Sequence, residues 1–346
     1  MRSVAAHTDS VRIGIVGLGR WTKNVHIPTL ALIPQARVTA LCARRQESLD
    51  EAAALLEGPV AKFQDYHALV GSDQVDAVVV STPNNVHEPV SAAALEAGKH
   101  VFVEKPMAFA AEGCARLRSL AKRKGLVLQV GYELPYAPPF ARGLEMIRQG
   151  AIGVPSIVIC NVIRDFVVTR GWRGDKEQSG GVLLEMASHY INLADALADA
   201  TPLAVEGFGG GRLLDDVDYG WCLIRYDNQI VGSVCSCMFG SGHMDIAATA
   251  IGTEGRLDMS VDTRTIVLHR RDDSDPQVTS IPQGVSAAEH GHWGTYEEMV
   301  DFISCVREGR RPRVDGIAGS RAVVIALAFE QSVRQMGQPV PLLPIT

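Results

Sequence analysis

Across 346 residues the chain lacks any run of about 18 apolar residues that could span a bilayer, and its first residues lack the apolar core of a secretory signal. Those absences argue against a membrane protein and favour a soluble intracellular one. Positive charge is not in excess either. With 33 Lys and Arg against 39 Asp and Glu, a net charge of −6 and no clustered basic stripe, a nucleic-acid-binding surface is not expected. The seven cysteines (Cys42, Cys114, Cys160, Cys222, Cys235, Cys237, Cys305) lack disulfide-framework spacing. An odd, scattered set suggests reduced thiols and a cytoplasmic location. Metal-ligand clusters are missing as well: a lone Cys235-x-Cys237 makes no site. The His290-Gly291-His292 pair reads as loop, so no metal is expected. Internal repeats and low-complexity tracts are absent. What is there is ordinary for a globular enzyme: 47% hydrophobic and 21% charged residues, in a length that suits two domains of about 100–200 residues each.

The two halves differ in texture. Residues 11–16 form a β-branched run ending in Gly17-Leu18-Gly19, followed by a helix-like stretch to about residue 32. Strand-like segments at 37–42, 75–80, 101–103 and 126–130 alternate with helical ones at 49–57, 86–97 and 111–124. Alternation of this length predicts a doubly wound parallel sheet over residues 1–130. After Gly131 come Pro135, Pro138 and Pro139, then a helix at 140–149. Strand-like segments follow at 156–168, 203–213, 217–226, 230–238, 244–251 and 265–270. One strong helix lies among them, at 182–197, and helices at 296–308 and 317–336 close the chain; residues 272–284 read as an exposed loop. Residues 131–346 are therefore expected to be an α+β domain with an open, mostly antiparallel sheet, its last helix able to pack back on the first domain.

The first strand-to-helix turn carries chemistry. In Gly17-Leu18-Gly19-Arg20-Trp21-Thr22, Gly17 permits the tight turn and Gly19 lets backbone approach a pyrophosphate at the helix start, as in the Rossmann dinucleotide fold. Thr22 occupies the third fingerprint position, where a small residue is usual, so a branched side chain must fit between helix and strand. The end of the second strand, Cys42-Ala43-Arg44-Arg45, lacks the acid that binds the ribose of NAD and offers two guanidiniums instead. An acid would repel a 2′-phosphate whereas Arg binds one with paired donors. This predicts NADP, with NAD also possible.

These motifs carry a family resemblance. GIVGLGRW with Asn24-Val25-His26-Ile27-Pro28, Ser81-Thr82-Pro83-Asn84-Asn85-Val86-His87, Glu104-Lys105-Pro106, Gly171-Trp172-Arg173 and SGGVLLEMASH (residues 179–189) resemble the glucose–fructose oxidoreductase, inositol dehydrogenase and MocA family over nearly the whole chain. The resemblance implies a dinucleotide-binding domain followed by an open-faced sheet domain that mediates homodimers or homotetramers. It implies redox chemistry at hydroxyl and keto groups of sugars, nucleotide sugars or cyclitols. A cofactor would be lined by Gly17, Gly19, Arg20 and Trp21, by Ala43, Arg44 and Arg45, and by Ser81, Thr82, Pro83, Asn84 and His87. Glu104, Lys105, Trp172 and Arg173 complete that lining. Lys105 would lie beside the nicotinamide and the reacting oxygen, with Glu185 and His189 beside the substrate.

The spacing of these residues agrees with those roles. Glu185, His189 and Asn192 recur at helical intervals of four and three and share one face. Gly180 and Gly181 before them would allow close approach to a ligand. A histidine can take or give the hydroxyl proton near neutral pH, and Lys105 can stabilise negative charge on the oxygen. Tyr190, rotated by about 100°, reads as packing. Several positions depart from the family's habit: Glu185 for the usual Asp, Ala187 for Gly, Asn192 for Asp, and Leu134-Pro135-Tyr136 for basic and aromatic residues. A reshaped pocket is the expectation. The competing readings are a non-catalytic cofactor-binding sensor or scaffold, and a redox-assisted hydrolase or lyase that retains its cofactor.

Overall fold

The computed structural model describes residues 10–163, 171–240, 246–282 and 293–345. Six strands form the first sheet: β1 (Val11–Val16), β2 (Ala36–Cys42), β3 (Ala61–Phe63), β4 (Ala77–Val80), β5 (His100–Glu104) and β6 (Leu128–Gly131). Their order is β3-β2-β1-β4-β5-β6, and every pairing is parallel. Ala77–Val80 is buried at all four positions, as a central parallel strand covered on both faces must be. The crossover helices are α1 (Ile27–Ala31), α2 (Gln46–Ala53), α3 (Tyr66–Val70), α4 (His87–Glu96) and α5 (Ala111–Lys124). Chain order reverses between β1 and β4. Ligands of such sheets bind at the carboxyl ends of the strands flanking that reversal.

The second sheet has nine strands: β7 (Pro155–Ile163), β8 (Pro202–Gly210), β9 (Tyr219–Tyr226), β10 (Val231–Cys237), β11 (Ala247–Gly252), β12 (Gly255–Ser260), β13 (Thr265–Arg270), β14 (Gln277–Ser280) and β15 (Val340–Pro341). Their order is β14-β13-β12-β11-β7-β10-β9-β8-β15, antiparallel throughout except at β7–β10 among the described residues. Helices α6 (Pro138–Arg148), α7 (Lys176–Ser179), α8 (Ser188–Ala198), α9 (Thr295–Glu308) and α10 (Gly316–Arg334) complete the chain. One face of the sheet packs on α6, α8 and α10. The opposite face is open, with Ile157, Trp221 and Val231 exposed on neighbouring strands.

Packing does not follow chain order. Met299, Phe302, Ile303 and Cys305 of α9 join the core formed by Ile13, Ile15 and Phe102 of the first sheet. Helix α10 contacts both α5 and β8. Helix α10 thus ties the first sheet to the second, while α9 packs on the first.

Several local expectations change. The predicted strands appear, most of them shorter than read. β3, α3, β12 and β15 were not read from the sequence; β3 and β15 are too short for a hydrophobic period to register. The exposed loop at 272–284 contains β14, an edge strand whose residues are all exposed, so its sequence carries no burial signal. The helix expected over 182–197 begins as a π turn, Leu183–Ala187, before α8. Pro138 and Pro139 start α6 rather than interrupting the chain, since proline fits the first helical turn. His290 and His292, like the predicted strand residues 164–168 and 244–245, lie outside the described residues.

Candidate active site

Gly17 closes β1 with φ +96, a conformation that disfavours a side chain, and a Cβ there would lie 2.3 Å from the Ser81 carbonyl oxygen. Only glycine lets the first turn pass so close to the end of β4. A Cβ at Gly19 would meet nothing within 4 Å, so the backbone there faces open space. Thr22 answers the question its branched side chain raised. It is fully buried, and its hydroxyl donates to the Gly17 carbonyl at 2.7 Å, tying a π turn (Thr22–His26) to the glycine turn. Thr82 Oγ1 is buried beside this cradle with no protein partner among the described residues. An open glycine turn and an orphaned hydroxyl at the β1/β4 switch fit a dinucleotide, whose phosphates take backbone N–H groups.

Around it, Ala43 continues from β2 by donating its N–H to the Phe63 carbonyl, while Arg44 and Arg45 are exposed. Arg45 Nη2 contacts Ser48 Oγ at 3.3 Å. Arg20 is exposed and Trp21 half-buried at the helix start; Ser81 and Pro83 are half-buried. Asn84 takes a different part: its amide donates to the Ser179 carbonyl at 2.9 Å, joining the two sheets' domains. His87, fully buried, bridges the Pro106 carbonyl at 2.8 Å and the Thr82 carbonyl at 2.9 Å, and burial lowers its pKa. It fixes the two loops that flank the cradle.

At the end of β5, Glu104 Oε1 accepts from Trp21 Nε1 at 2.9 Å and lies 3.0 Å from His26 Nε2. Burial pushes the Glu104 carboxyl up, but the His26 hydrogen bond and the charges of His26, Lys105 and His87 outweigh it and hold the group below its ordinary value. Lys105 Nζ donates to Glu185 Oε2 and to the Glu185 carbonyl, each at 2.6 Å. An ammonium has three donors, so one N–H remains for a ligand. The other oxygen of Glu185 accepts from Arg173 Nε at 2.9 Å, and the Arg173 guanidinium stacks on Trp172, 4.6 Å from the ring centre. Glu185 is therefore a buried carboxylate held between two cations. It is aimed by the π turn, whose wider winding lets both its side chain and its carbonyl reach Lys105. Gly180 and Gly181, both at positive φ, serve the chain reversal from α7 into this turn.

His189 follows one turn later. Its Nδ1 lies 3.4 Å from Glu133 Oε2, and its ring meets Tyr132 edge-on at 5.6 Å. Glu133 follows β6 and is buried; burial, then the Glu104 carboxylate, raise its pKa to about 8, with Lys105 opposing and Glu185 adding. Behind it, Glu298 of α9 is buried and pushed well above the ordinary carboxyl range by burial and by Glu133 and Glu104. Asn192 is buried with Oδ1 unpartnered among the described residues, and Tyr190 is packed at 5% exposure. Sequence reasoning missed Glu133 and Glu298. The available signal was a glutamate in the apolar run Val130-Gly131-Tyr132-Glu133-Leu134-Pro135, and one beside the apolar face of α9. Among the described residues, no group of three or more His, Cys, Asp or Glu is placed to hold a metal, and no helix is long and apolar enough to cross a membrane.

A parallel sheet with this glycine turn at its switch point, joined to an open antiparallel sheet, defines the class: a two-domain, nicotinamide-dependent oxidoreductase. Residues 11–132 match the model of an oxidoreductase family NAD-binding Rossmann fold, and residues 144–342 match the same family's C-terminal alpha/beta domain. The chain belongs to the Gfo/Idh/MocA oxidoreductase family. It is 26% identical to myo-inositol 2-dehydrogenase of Thermotoga maritima, over 94% of this chain and 97% of that protein. It is 34% identical to inositol 2-dehydrogenase/D-chiro-inositol 3-dehydrogenase of Lactiplantibacillus plantarum, over 73% of each. Levoglucosan dehydrogenase in complex with NADH and levoglucosan shares the fold at a TM-score of 0.87 and 22% identity, over 96% of this chain and 99% of that one.

Proposed function

We propose that this enzyme interconverts a secondary alcohol and a ketone on a polyhydroxylated small molecule — a sugar, nucleotide sugar or cyclitol — using NADP, with NAD as the alternative cofactor. The observation that carries the reading is the pairing of Lys105, from the end of β5, with Glu185 from the other domain, with His189 one turn beyond Glu185 and beside Glu133. The bound nicotinamide supplies or takes the hydride. The protein's own residues handle the oxygen. The remaining N–H of Lys105 donates to it and stabilises negative charge as the C–O bond changes order. Glu185 fixes the ammonium in place, and Arg173 braces Glu185 from the other side. His189 takes the hydroxyl proton in oxidation and returns it in reduction. Arg44 and Arg45, in place of an acid after β2, support binding of a 2′-phosphate. Relatives named as inositol dehydrogenases support a cyclitol or sugar as substrate, and a relative from Haloarcula marismortui named D-xylose 1-dehydrogenase [NADP(+)] keeps NADP in view. The open apolar face around Ile157, Trp221 and Val231 supports a second copy of this chain as the partner.

The test is nicotinamide absorbance with NADP and NAD against a panel of free sugars, sugar phosphates, nucleotide sugars and cyclitols. Lys105→Ala and His189→Ala should each lower turnover on the best substrate at least about a hundredfold while cofactor still binds. Full turnover in the Lys105 variant would refute the reading.

A further inference from the structure

Behind His189 stands a carboxyl that neither the sequence motifs nor the proposed reaction uses. Glu133 Oε2 lies 3.4 Å from His189 Nδ1, both side chains are largely shielded, and Tyr132 fixes the ring from its edge. The 3.4 Å separation is that of an ion pair rather than a hydrogen bond. With Nδ1 facing Glu133, Nε2 is the nitrogen to which the proposed reaction brings the substrate proton.

We infer that Glu133 is the proton partner of His189, a positioning residue that passes a proton through the imidazole so that no net charge forms on the ring. The inference rests on His189 acting on the substrate hydroxyl. In oxidation the substrate O–H breaks and its proton goes to Nε2. The Nδ1–H bond breaks and that proton goes to the Glu133 carboxylate. A bound oxidised nicotinamide would take the carbinol hydride with its electron pair. Reduction runs every transfer backwards.

The surroundings of Glu133 suit this role. Carboxylates approach it from three elements: Glu104 at the end of β5, Glu185 on the π turn and Glu298 on α9. Against these stands Lys105, and His189 faces it from α8. A carboxyl in ordinary surroundings would stay ionised and only orient the ring. One raised to about 8 accepts a proton at neutral pH, close to the range in which an imidazole gives one up. The sign follows. Above that value the pair is deprotonated, Nδ1–H donates to Glu133, and Nε2 is a base fit for oxidation. Below it the pair holds one more proton, Nε2 carries hydrogen, and the site is fit for reduction.

Histidine labelled with nitrogen-15 tests the pair in the substrate-free protein. In the wild type the His189 ring signals should move between the two tautomeric patterns as pH crosses about 8. In Glu133→Gln, of the same shape, that step should vanish. Glu133→Asp, which keeps a carboxyl one methylene away, should retain the step. On the best substrate of the panel, Glu133→Gln should lose at least about tenfold in kcat with KM within about twofold. It should also lose the rise of oxidation near pH 8. In mixtures of light and heavy water the wild-type rate should depend on isotope fraction along a curve, as two moving protons require, and the variant along a line. The same His189 titration and the same rate in wild type and Glu133→Gln would overturn the inference. A loss of turnover in His189→Asn alongside that result would leave the proposed reaction standing. Full turnover in His189→Asn would instead overturn the proposed role of His189, and the relay with it.

Discussion

Glu185 and Glu133 are both buried glutamates that feel the charge of Lys105, and their surroundings are opposite. Glu185 lies between an ammonium and a guanidinium, which hydrogen-bond both its oxygens. Glu133 lies among carboxylates with a single imidazole beside it, and its carboxyl is raised to about 8. One residue type in two environments thus yields a fixed anion and a group able to hold a proton. A carboxyl raised by burial beside a histidine is a common means of running proton chemistry near neutral pH. The first cluster positions a cation; the second moves a proton.

The largest effect should come from breaking the first cluster. Glu185→Ala takes Oε2 from Lys105 and Oε1 from Arg173, and removing one partner of a buried pair costs about 3 kcal/mol or more of stability. Chemical denaturation should show that loss at neutral pH. An unchanged midpoint would mean that the cations, not Glu185, hold this junction.

A change in the second cluster should have the opposite sign. Folded Glu133 keeps a proton that the unfolded chain, with an ordinary value of 4.5, releases. Its contribution is present below the unfolded value and is lost as pH rises through about 8. Glu133→Gln should therefore stabilise the protein at about pH 9, by on the order of 2 kcal/mol, and change little at about pH 5. Thermal melts at the two pH values check it, and destabilisation at both would erase the contrast.

The smallest effect should come from outside both clusters. Arg44→Ala should lower the NADP-to-NAD affinity ratio by about tenfold, near 1.4 kcal/mol, with stability unaffected. Titration of both cofactors measures it. An unchanged ratio would remove Arg44 from cofactor choice.

The contrast between the clusters also marks what could be read from sequence. The parallel sheet was legible because Ala77–Val80 and residues 101–103 are continuous apolar runs and β1 is apolar but for Arg12, each ending in glycine, serine or charge. Lys105, Glu185 and His189 were legible because their spacing and flanking motifs are specific. Glu133 was not, because a single glutamate after a strand reads as a solvated turn until the fold surrounds it with Glu104 and Glu298, about 30 residues before it and about 165 after. The π turn at Leu183–Ala187 left no mark either, since its apolar residues suit an α-helix equally. Thr22 looked like a misfit to the glycine motif, and only the structure supplies the hydroxyl bond to Gly17 that accommodates it.

The central claim is that hydride leaves or reaches a carbinol carbon whose oxygen is handled by Lys105 and His189. It is tested most directly by following deuterium. A polyol from the panel, carrying deuterium on the reacting carbon, is mixed with enzyme and oxidised cofactor, and the reduced cofactor is weighed by mass spectrometry. The account predicts one deuterium on the nicotinamide with the wild-type protein and almost none with Lys105→Ala in the same time. Deuterium appearing equally with both proteins, or never with any polyol although cofactor binds, would contradict it.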